Sequence, residues 1–330
     1  MAGLVSLQEM QATVVDFVQN QAPIYLKNTT LAPESLLQSY TSLDPLISAL
    51  AIATVFSIGH WFLALVSNNY SQVDKCWSIL PVIYSWHFTV HDYLVRGQIH
   101  PRLALVSALV TVWGTRLTYN FARKGGYKFS EQDYRWPYIQ KKIGKVGMEL
   151  LNITFIAPYQ NLLLLSLTGP IYVASLAAGQ SQGLVTLDYV AAGLFAAIWI
   201  TEIVADQQQF DFQTRKYKMI KEKTALYGDY KRGFLTQRGL WRFSRHPNFF
   251  CEISIWYAVY LFSVAATGVT LNWSLTGAAA LHMLFFGSTW ITEVISSEKY
   301  PEYKRYQQHV SMLVPLPSRM PSSSNLKKEL

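Results

Sequence analysis

Apolar residues along this chain gather into long blocks rather than alternating with polar residues. Seven blocks approach the length of about 20 mostly apolar residues that a helix needs to cross a hydrocarbon core of about 30 Å. They lie near residues 46–66, 76–95, 103–121, 150–176, 188–206, 250–267 and 273–295. The pattern predicts an all-α polytopic membrane protein with about seven transmembrane helices.

The composition agrees with this pattern. Apolar residues make up 51% of the 330 residues and charged residues 15%, whereas a soluble domain carries about 25% charged residues. Two cysteines, Cys76 and Cys251, are too few for a disulfide framework and are expected to be reduced thiols. The chain is therefore neither a disordered protein nor a disulfide-stabilised domain.

Positive charge is distributed unevenly, which predicts an orientation. Of 28 lysines and arginines, seven lie in 122–147, ten in 207–249 and six in 297–330, whereas the loops 177–187 and 268–272 contain none. Because basic residues favour cytosolic loops, we expect the N-terminus on the lumenal side and the C-terminus in the cytosol. The net charge of +8 then reflects topology and anionic headgroups, so no nucleic-acid partner is expected.

Three parts follow from these features. We expect a lumenal N-terminal segment at residues 1–45, a helical membrane domain at 46–315 and a disordered, Pro/Ser-rich cytosolic tail at 316–330. A glycosylation acceptor pattern at residues 28–30 lies on the predicted lumenal side and supports the topology weakly.

Two lysines near the C-terminus, Lys327 and Lys328, resemble the dilysine retrieval signal of endoplasmic-reticulum membrane proteins. The predicted cytosolic C-terminus places them on the side where such a signal acts. This predicts a multi-pass protein of the endoplasmic-reticulum membrane with a retrieval coat as partner. A solvated tail that happens to contain two lysines is the alternative.

Acidic residues within apolar blocks are expensive, which makes them candidates for function. In the fifth block, Glu202 and Asp206 are four residues apart and therefore share a helix face, which Gln209 extends. A polar ligand pocket open to the cytosol explains this stripe. The alternative is that the acids pair with Arg215 or Lys216 at the membrane interface.

The densest group of polar residues follows between Gly239 and Glu252. Arginine offers a planar fork of donors suited to phosphate, histidine exchanges protons near neutral pH, and asparagine both donates and accepts. Anchoring by positive charge alone would explain two arginines, but not the asparagine or the acid. The group consists of Arg242, Arg245, His246, Asn248 and Glu252, with Pro247 at a predicted helix start.

A third polar group lies near the second and third blocks. Arg116, Tyr119 (or Asn120) and Arg123 follow one another at helical spacings and form one face. Asp74 precedes the second block, where a helix-capping role and a functional role are equally open. The seven histidines are scattered, with His87 and His91 one turn apart, so we expect no metal site.

Two segments carry a resemblance to a known family. The run W-R-F-S-R-H-P-N-F-F-C-E, which ends at Glu252, resembles the C-terminal signature of steroid 5α-reductase-like membrane reductases. The closing run from Ser297 to Pro315 is similar to that of one branch, known only by a domain of unknown function, DUF1295. The resemblance covers roughly residues 65–315, since the other polar groups occur in matching order.

This resemblance implies a seven-span reductase of the endoplasmic reticulum that takes NADPH from the cytosol. By position, Glu202 and Asp206 would face the adenosine or ribose part of NADPH. Other residues implied at the cofactor are Arg245, His246, Asn248 and Glu252 at the pyrophosphate and nicotinamide, Tyr303 and Tyr306 packed nearby, and Arg116, Tyr119 and Arg123 from the third span.

The implied reaction is transfer of hydride to an electron-poor carbon–carbon double bond of a lipid held within the bilayer. Tyr119 is the predicted proton donor, with Asp74 as the second choice. The second block has no glutamate where the steroid enzymes carry one, so the resemblance does not specify a 3-oxo-steroid substrate.

Two other functions share parts of this pattern. Membrane methyltransferases acting on isoprenylcysteine or phospholipid also have an Arg-His-Pro entry, a following acid and a Tyr-rich tail, and they use S-adenosylmethionine. Asn248 and the acid pair at Glu202 and Asp206 favour the reductase. A non-catalytic, lipid-binding relative is the third alternative. Binding of NADPH or of S-adenosylmethionine would distinguish the three.

Overall fold

A computed structural model describes residues 6–23, 32–180, 183–236 and 239–317. The described part of the chain is all-helical, with 79% of its residues in helices. Within the described ranges there is no β-strand, and an isolated bridge joins Ser244 to Ser311. The glycosylation pattern at residues 28–30 and the two C-terminal lysines lie outside the described residues.

The α-helices are α1 (Leu7–Asp16), α2 (Pro33–Ser42), α3 (Pro45–Ser67), α4 (Gln72–Cys76), α5 (Leu80–Arg96), α6 (Pro101–Arg123), α7 (Arg135–Leu151), α8 (Pro158–Ser166), α9 (Gly169–Ala177), α10 (Thr186–Lys221), α11 (Gly228–Arg232), α12 (Pro247–Thr267), α13 (Leu275–Lys299) and α14 (Tyr303–His309). Two π-helical turns span Phe17–Gln21 and Asn152–Ile156, and 3₁₀ turns span Ala178–Gln180 and Gly239–Arg242.

Proline starts many of these helices. It is the first residue of α2, α3, α6, α8 and α12, where its missing N–H leaves no hydrogen bond unmade. Asp44 caps α3 because its carboxylate accepts the backbone N–H of Leu46 at 2.8 Å. The helix boundaries thus follow local sequence signals.

Among the residues that the structure describes, five helical stretches are long and apolar enough to cross a membrane: Pro45–Ser67, Arg135–Ala177, Thr186–Lys221, Pro247–Thr267 and Leu275–Lys299. The other two predicted blocks fall on α5 and α6. Helix α5 has only 17 residues, and α6 has 23 residues but interrupts its apolar sequence with arginines. The multi-pass architecture is therefore supported, while the count of seven and the orientation of the termini stay predictions.

The chain divides into two compact units. The first comprises Met1–Phe195 and Trp256–Leu281, and the second comprises Ala196–Ile255 and His282–Leu330.

In the first unit, small and hydroxylated residues join α5 to α6. Ser107 donates to the carbonyl of Ser85 at 3.1 Å and shares a hydrogen bond of 2.8 Å with Thr89. A Cβ atom at Gly114 would lie 2.6 Å from the carbonyl oxygen of Ser78, so only glycine allows this approach. Close helix contact through small residues is typical of membrane bundles.

His87 and His91 contact the segment that precedes α3. His87 lies 3.0 Å from the hydroxyl of Tyr40 and 2.9 Å from the carbonyl of Pro45. His91 lies 3.0 Å from the carbonyl of Leu43. No group of His, Cys, Asp and Glu suited to a metal occurs among the residues that the structure describes.

A buried ion pair joins the start of α6 to the start of α10 in the first unit. The Arg102 guanidinium donates to both carboxylate oxygens of Asp188, at 2.7 and 2.9 Å, and both side chains are 0% exposed. The same carboxylate accepts the backbone N–H of Val185 at 2.8 Å. This planar, bidentate geometry satisfies charges that would otherwise be costly to bury.

Replacing Arg102 with Met is expected to lower the free energy of unfolding by about 3–5 kcal/mol, because Asp188 then stays buried without its charged partner. Denaturant unfolding in detergent measures this value. The control Lys218→Met breaks the exposed pair with Glu222 and is expected to cost less than about 1 kcal/mol. Equal effects of the two substitutions would contradict the structural role of Arg102.

Candidate functional site

The second unit brings together the two polar motifs that the sequence singled out. Asn248, at the start of α12, donates from Nδ2 to Oδ1 of Asp206 on α10 at 3.2 Å. Glu202 lies one helical turn before Asp206, and Glu252 lies one turn after Asn248. All three carboxylates are buried. Residues separated by 42 positions in the chain thus form one polar contact between two apolar helices.

The alternative explanation of the acids, pairing with Arg215 or Lys216, is not what the structure shows. Lys216 donates to the carbonyl of Gly233 and to the hydroxyl of Tyr300, each at 3.1 Å. Arg215 donates to the hydroxyl of Tyr227 at 3.4 Å. Both cations therefore form hydrogen bonds with residues that follow α10 in the chain, and not with Glu202 or Asp206.

Some buried polar atoms of the second unit have no hydrogen-bond partner among the described residues. They are Oδ1 of Asn248, Oε1 of Gln209 and Nε1 of Trp199. Buried polar atoms are nearly always hydrogen-bonded, so such atoms point to a bound molecule or to water. The side-chain amide of Asn248 therefore donates from Nδ2 to Asp206, while its Oδ1 is a buried acceptor without a partner among the described residues.

A second polar cluster surrounds Glu293 on α13. Arg245 donates from Nε and Nη2 to the two carboxylate oxygens at 2.5 and 2.8 Å. His246 lies 3.2 Å from the carboxylate, and Gln307 donates to it at 3.0 Å. Arg245 also donates from Nη1 to the carbonyls of Gln307 and Val310. We call these four side chains, Arg245, His246, Glu293 and Gln307, the clasp.

The clasp changes the interpretation of Arg245. Its guanidinium is buried and engaged with a carboxylate and two carbonyls, so contact with a pyrophosphate would require it to exchange partners. His246 stands just before α12, and burial lowers the pKa of its imidazole despite the neighbouring carboxylate. A neutral imidazole therefore faces Glu293 at neutral pH.

The closing segment is fastened to the Arg-His-Pro motif by backbone pairing. The N–H of Arg245 donates to the carbonyl of Ser311 at 2.8 Å, and that of His246 to the carbonyl of Met312 at 3.1 Å. The hydroxyl of Ser244 donates to the carbonyl of Leu313 at 2.7 Å. The two segments that carry the family resemblance therefore form one structural element.

Tyr303 and Tyr306 lie in the interior of this element. The hydroxyl of Tyr306 donates to the carbonyl of Trp241 at 2.5 Å, and the indole of Trp241 donates to the carbonyl of Ala205 at 3.1 Å. Burial raises the pKa of Tyr306 well above its ordinary value, so the phenol stays protonated. Tyr306 is thus connected through Trp241 to the carbonyl of Ala205, the residue before Asp206, and Tyr303 packs against Tyr306 with ring centroids 5.7 Å apart.

The predicted residues of the third block lie in the first unit, on α6. Arg116 and Asn120 are buried, whereas Tyr119 is 63% exposed and lies under the guanidinium of Arg123 at 5.5 Å from the ring centroid. Of the two residues between which the sequence left a choice, Asn120 is buried on the same side of α6 as Arg116, whereas Tyr119 lies on the exposed side. Their convergence with Asp206 and Asn248 stays a prediction.

Asp74 is the third residue of α4, not its cap, which is Ser71. Its carboxylate accepts the indole N–H of Trp136 at 3.2 Å. Burial and the neighbouring carboxylate of Asp133 raise its pKa, so the proton is held more firmly than on an exposed aspartate.

Sequence reasoning missed Glu293 and Gln307. Glu293 is an acid inside the seventh apolar block, so the same rule that identified Glu202 would have identified it. Gln307 carries no such signal, because a glutamine in a polar segment is ordinary until its partner is known.

Comparisons with known proteins match most of the chain, including the Arg-His-Pro motif and most of the closing segment. A family model described as "Protein of unknown function (DUF1295)" matches residues 60–310. An uncharacterized protein of Schizosaccharomyces pombe is 36% identical over 284 residues, which cover 84% of this chain and 81% of the relative. No solved structure matches the chain.

Replacing Arg245 with Lys is expected to loosen the closing segment, because an ammonium cannot supply the bidentate fork and the bonds to two carbonyls together. Hydrogen–deuterium exchange should show the backbone amides of Arg245 and His246 exchanging at least about tenfold faster, a change of about 1.4 kcal/mol in opening free energy. Arg242→Lys, at an exposed position, is the control. Unchanged exchange in the Arg245 variant would contradict the clasp.

Replacing Asp74 with Asn keeps an acceptor for Trp136, whereas Asp74→Leu leaves the indole N–H unsatisfied at a cost of about 1–3 kcal/mol. Because the pKa of Asp74 is raised in the folded state, its protonation stabilises the fold at low pH, and this contribution disappears as pH rises through the folded pKa. Thermal unfolding across pH should show this gain in the wild type and not in Asp74→Asn. Identical pH profiles would contradict the assignment.

Proposed function

This chain belongs to the DUF1295 family, which is steroid 5α-reductase-like, and on that premise we propose that it is an NADPH-dependent reductase of a carbon–carbon double bond in a membrane lipid. The observation that carries the proposal is the contact between Asp206 and Asn248, flanked by buried Glu202 and Glu252. We place the protein in the endoplasmic-reticulum membrane.

The residues of this contact fit parts of a dinucleotide. Carboxylates accept hydrogen bonds from ribose hydroxyls, which suits Glu202 and Asp206. The vacant Oδ1 of Asn248 accepts an N–H, such as that of a carboxamide, while its Nδ2 is held by Asp206. Glu252 would complete this acceptor set. Three buried acids would be costly without donors supplied by a ligand or by other parts of the chain.

The phosphate groups of a dinucleotide bind to cationic side chains, and we assign different arginines to phosphate binding and to positioning. Arg245 acts as a positioning residue through the clasp, because its donors already hold Glu293 and the closing segment. Arg116 and Arg123 on α6 are the proposed phosphate partners, and exposed Arg242 is a further candidate. Arginine suits this task because its fork matches phosphate oxygens.

Bound NADPH would supply the hydride. The chain would supply the proton, with Tyr119 as the proposed donor and Asp74 as the second choice. Apolar helices around the reacting carbon would exclude water and strengthen any hydrogen bond to the oxygen on which negative charge develops. The lipid that carries the double bond would enter such a site from the bilayer.

Replacing Asn248 with Ala is expected to abolish stabilisation by NADPH, because both hydrogen-bonding groups of the amide are removed. For the wild type, NADPH at a hundred times its Kd should add about 2.7 kcal/mol of stability, seen as a raised Tm in detergent. Gln207→Ala, at an exposed amide on α10 next to Asp206, is the control.

S-adenosylmethionine is tested in parallel. Stabilisation by S-adenosylmethionine and not by NADPH would contradict the reductase and support a methyltransferase. Stabilisation by neither would support a non-catalytic relative. Undiminished NADPH binding by a correctly folded Asn248→Ala protein would contradict the assigned site.

A further inference from the structure

The first unit contains a buried polar cluster that the proposed cofactor site does not use. It consists of His60 on α3, Asn152 in the π-helical turn, and Gln160 and Asn161 on α8. Their exposed fractions are 5%, 1%, 4% and 0%. Both helical stretches belong to candidate membrane spans, where polar side chains mark functional sites by default.

Hydrogen bonds within the cluster fix its geometry. Nδ2 of Asn161 donates to Nδ1 of His60 at 3.0 Å and to the carbonyl of Ala157 at 2.7 Å. Because Nδ1 of His60 accepts, the neutral imidazole carries its proton on Nε2. The Asn161 amide is thereby oriented with its oxygen on the side opposite these two partners.

Four buried atoms of the cluster have no hydrogen-bond partner in the part of the chain that the structure describes. They are Nδ2 and Oδ1 of Asn152, Oε1 of Gln160 and Oδ1 of Asn161. Leaving an amide group unpaired in an apolar environment costs about 1–3 kcal/mol by protein mutational data. Three such residues within ten positions of one membrane segment therefore indicate an occupant that supplies hydrogen bonds.

The π-helical turn aligns these amides. The N–H of Ala157 donates to the carbonyl of Asn152 at 3.0 Å, five residues earlier. In a regular α-helix, positions 152 and 160 would differ by about 80° around the axis. The extra residue in the π-turn reduces the difference to about 20°, so Asn152 and Gln160 share one face. π-Turns of this kind are frequent at functional sites.

The balance of donors and acceptors identifies the chemistry of the occupant. Three of the four vacant atoms are acceptors and one is a donor. A ketone or ether oxygen could satisfy only the donor. A hydroxyl group can accept from the Asn152 amide and donate to one of the three acceptor oxygens, so it is the simplest uncharged group that pairs with both kinds of atom. The four side chains of the cluster include no acid, lysine or arginine, so they offer no partner for a charged headgroup.

We propose that His60, Asn152, Gln160 and Asn161 form an intramembrane site that binds the hydroxyl group of an uncharged lipid alcohol. The apolar body of the lipid lies among the surrounding helices, and Asn161, oriented by His60, positions the acceptor oxygen. If the bound lipid alcohol is also the substrate of the proposed reductase, the site identifies the substrate class, and that part of the inference rests on the proposed function. Binding of the alcohol itself needs no NADPH.

The test measures binding in detergent without NADPH. Lipids that co-purify with the wild type are identified by accurate mass, with acetylation to reveal hydroxyl groups. Delipidated protein is then given cholesterol or hexadecan-1-ol, with cholestane and hexadecane as counterparts that lack the hydroxyl. The expected result is a raised Tm with an alcohol and not with its hydrocarbon, or a co-purified hydroxylated neutral lipid.

Two variants assign the effect to the cluster. Asn152→Leu removes two vacant atoms, and Gln160→Met removes an acceptor at nearly constant volume; either should weaken alcohol binding at least tenfold. Ser166→Ala, at a hydroxyl bonded to the carbonyl of Leu163 on the same helix, is the control. If Asn152→Leu does not fold, Gln160→Met provides the result.

The proposal is overturned if no hydroxylated lipid co-purifies and no alcohol stabilises the protein. It is also overturned if the variants bind the alcohol as the wild type does, or if they lose only a charged lipid. In the first case the cluster holds water. Because alcohol binding is measured without NADPH, a wild type that binds the alcohol but is not stabilised by NADPH would contradict only the reductase proposal, and a wild type that binds NADPH but no alcohol would contradict only this site.

Discussion

The cost of burying polar groups between apolar helices is the constraint on which this structure depends. A buried amide without a hydrogen-bond partner costs about 1–3 kcal/mol, and a buried charge without a partner costs more. A buried polar residue whose groups are all paired within the protein is therefore interpreted as structural. Arg102 and Asp188 satisfy each other completely. Asn248 and Asn152 do not find all their partners within the described residues, and both are therefore assigned to binding.

The clasp explains why two distant sequence motifs belong together. The carboxylate of Glu293 contacts the side chains of Arg245, His246 and Gln307. Backbone hydrogen bonds also join Arg245 and His246 to the closing segment. The Arg-His-Pro motif is thus primarily a structural joint that sets the start of α12. Asn248 stands two residues after His246, so the joint determines where its amide meets Asp206. A motif that resembles a ligand-binding sequence can act by positioning the residue that binds.

Much of the architecture was predictable from the sequence, because apolar length and basic loops report on membrane helices directly. Glu202 and Asp206 were found by the cost of an acid in an apolar block, and Asn248 by its place in a family-like motif. The bond between Asp206 and Asn248 was not predictable, because it depends on how two helices pack. For the same reason the partner of Arg245 was missed: its guanidinium binds phosphate or carboxylate equally well, and only the fold supplies Glu293.

Transfer of deuterium from NADPH labelled at nicotinamide C4 tests the proposed reduction most directly. Purified protein is incubated with each C4-labelled diastereomer and a lipid extract of endoplasmic-reticulum membranes, and the lipids are analysed by mass spectrometry. The account predicts that one diastereomer delivers its deuterium to a carbon of a lipid that has gained two hydrogens in total and lost a double bond. Deuterium that stays on the nucleotide in the presence of every lipid, while NADPH binds normally, would contradict it.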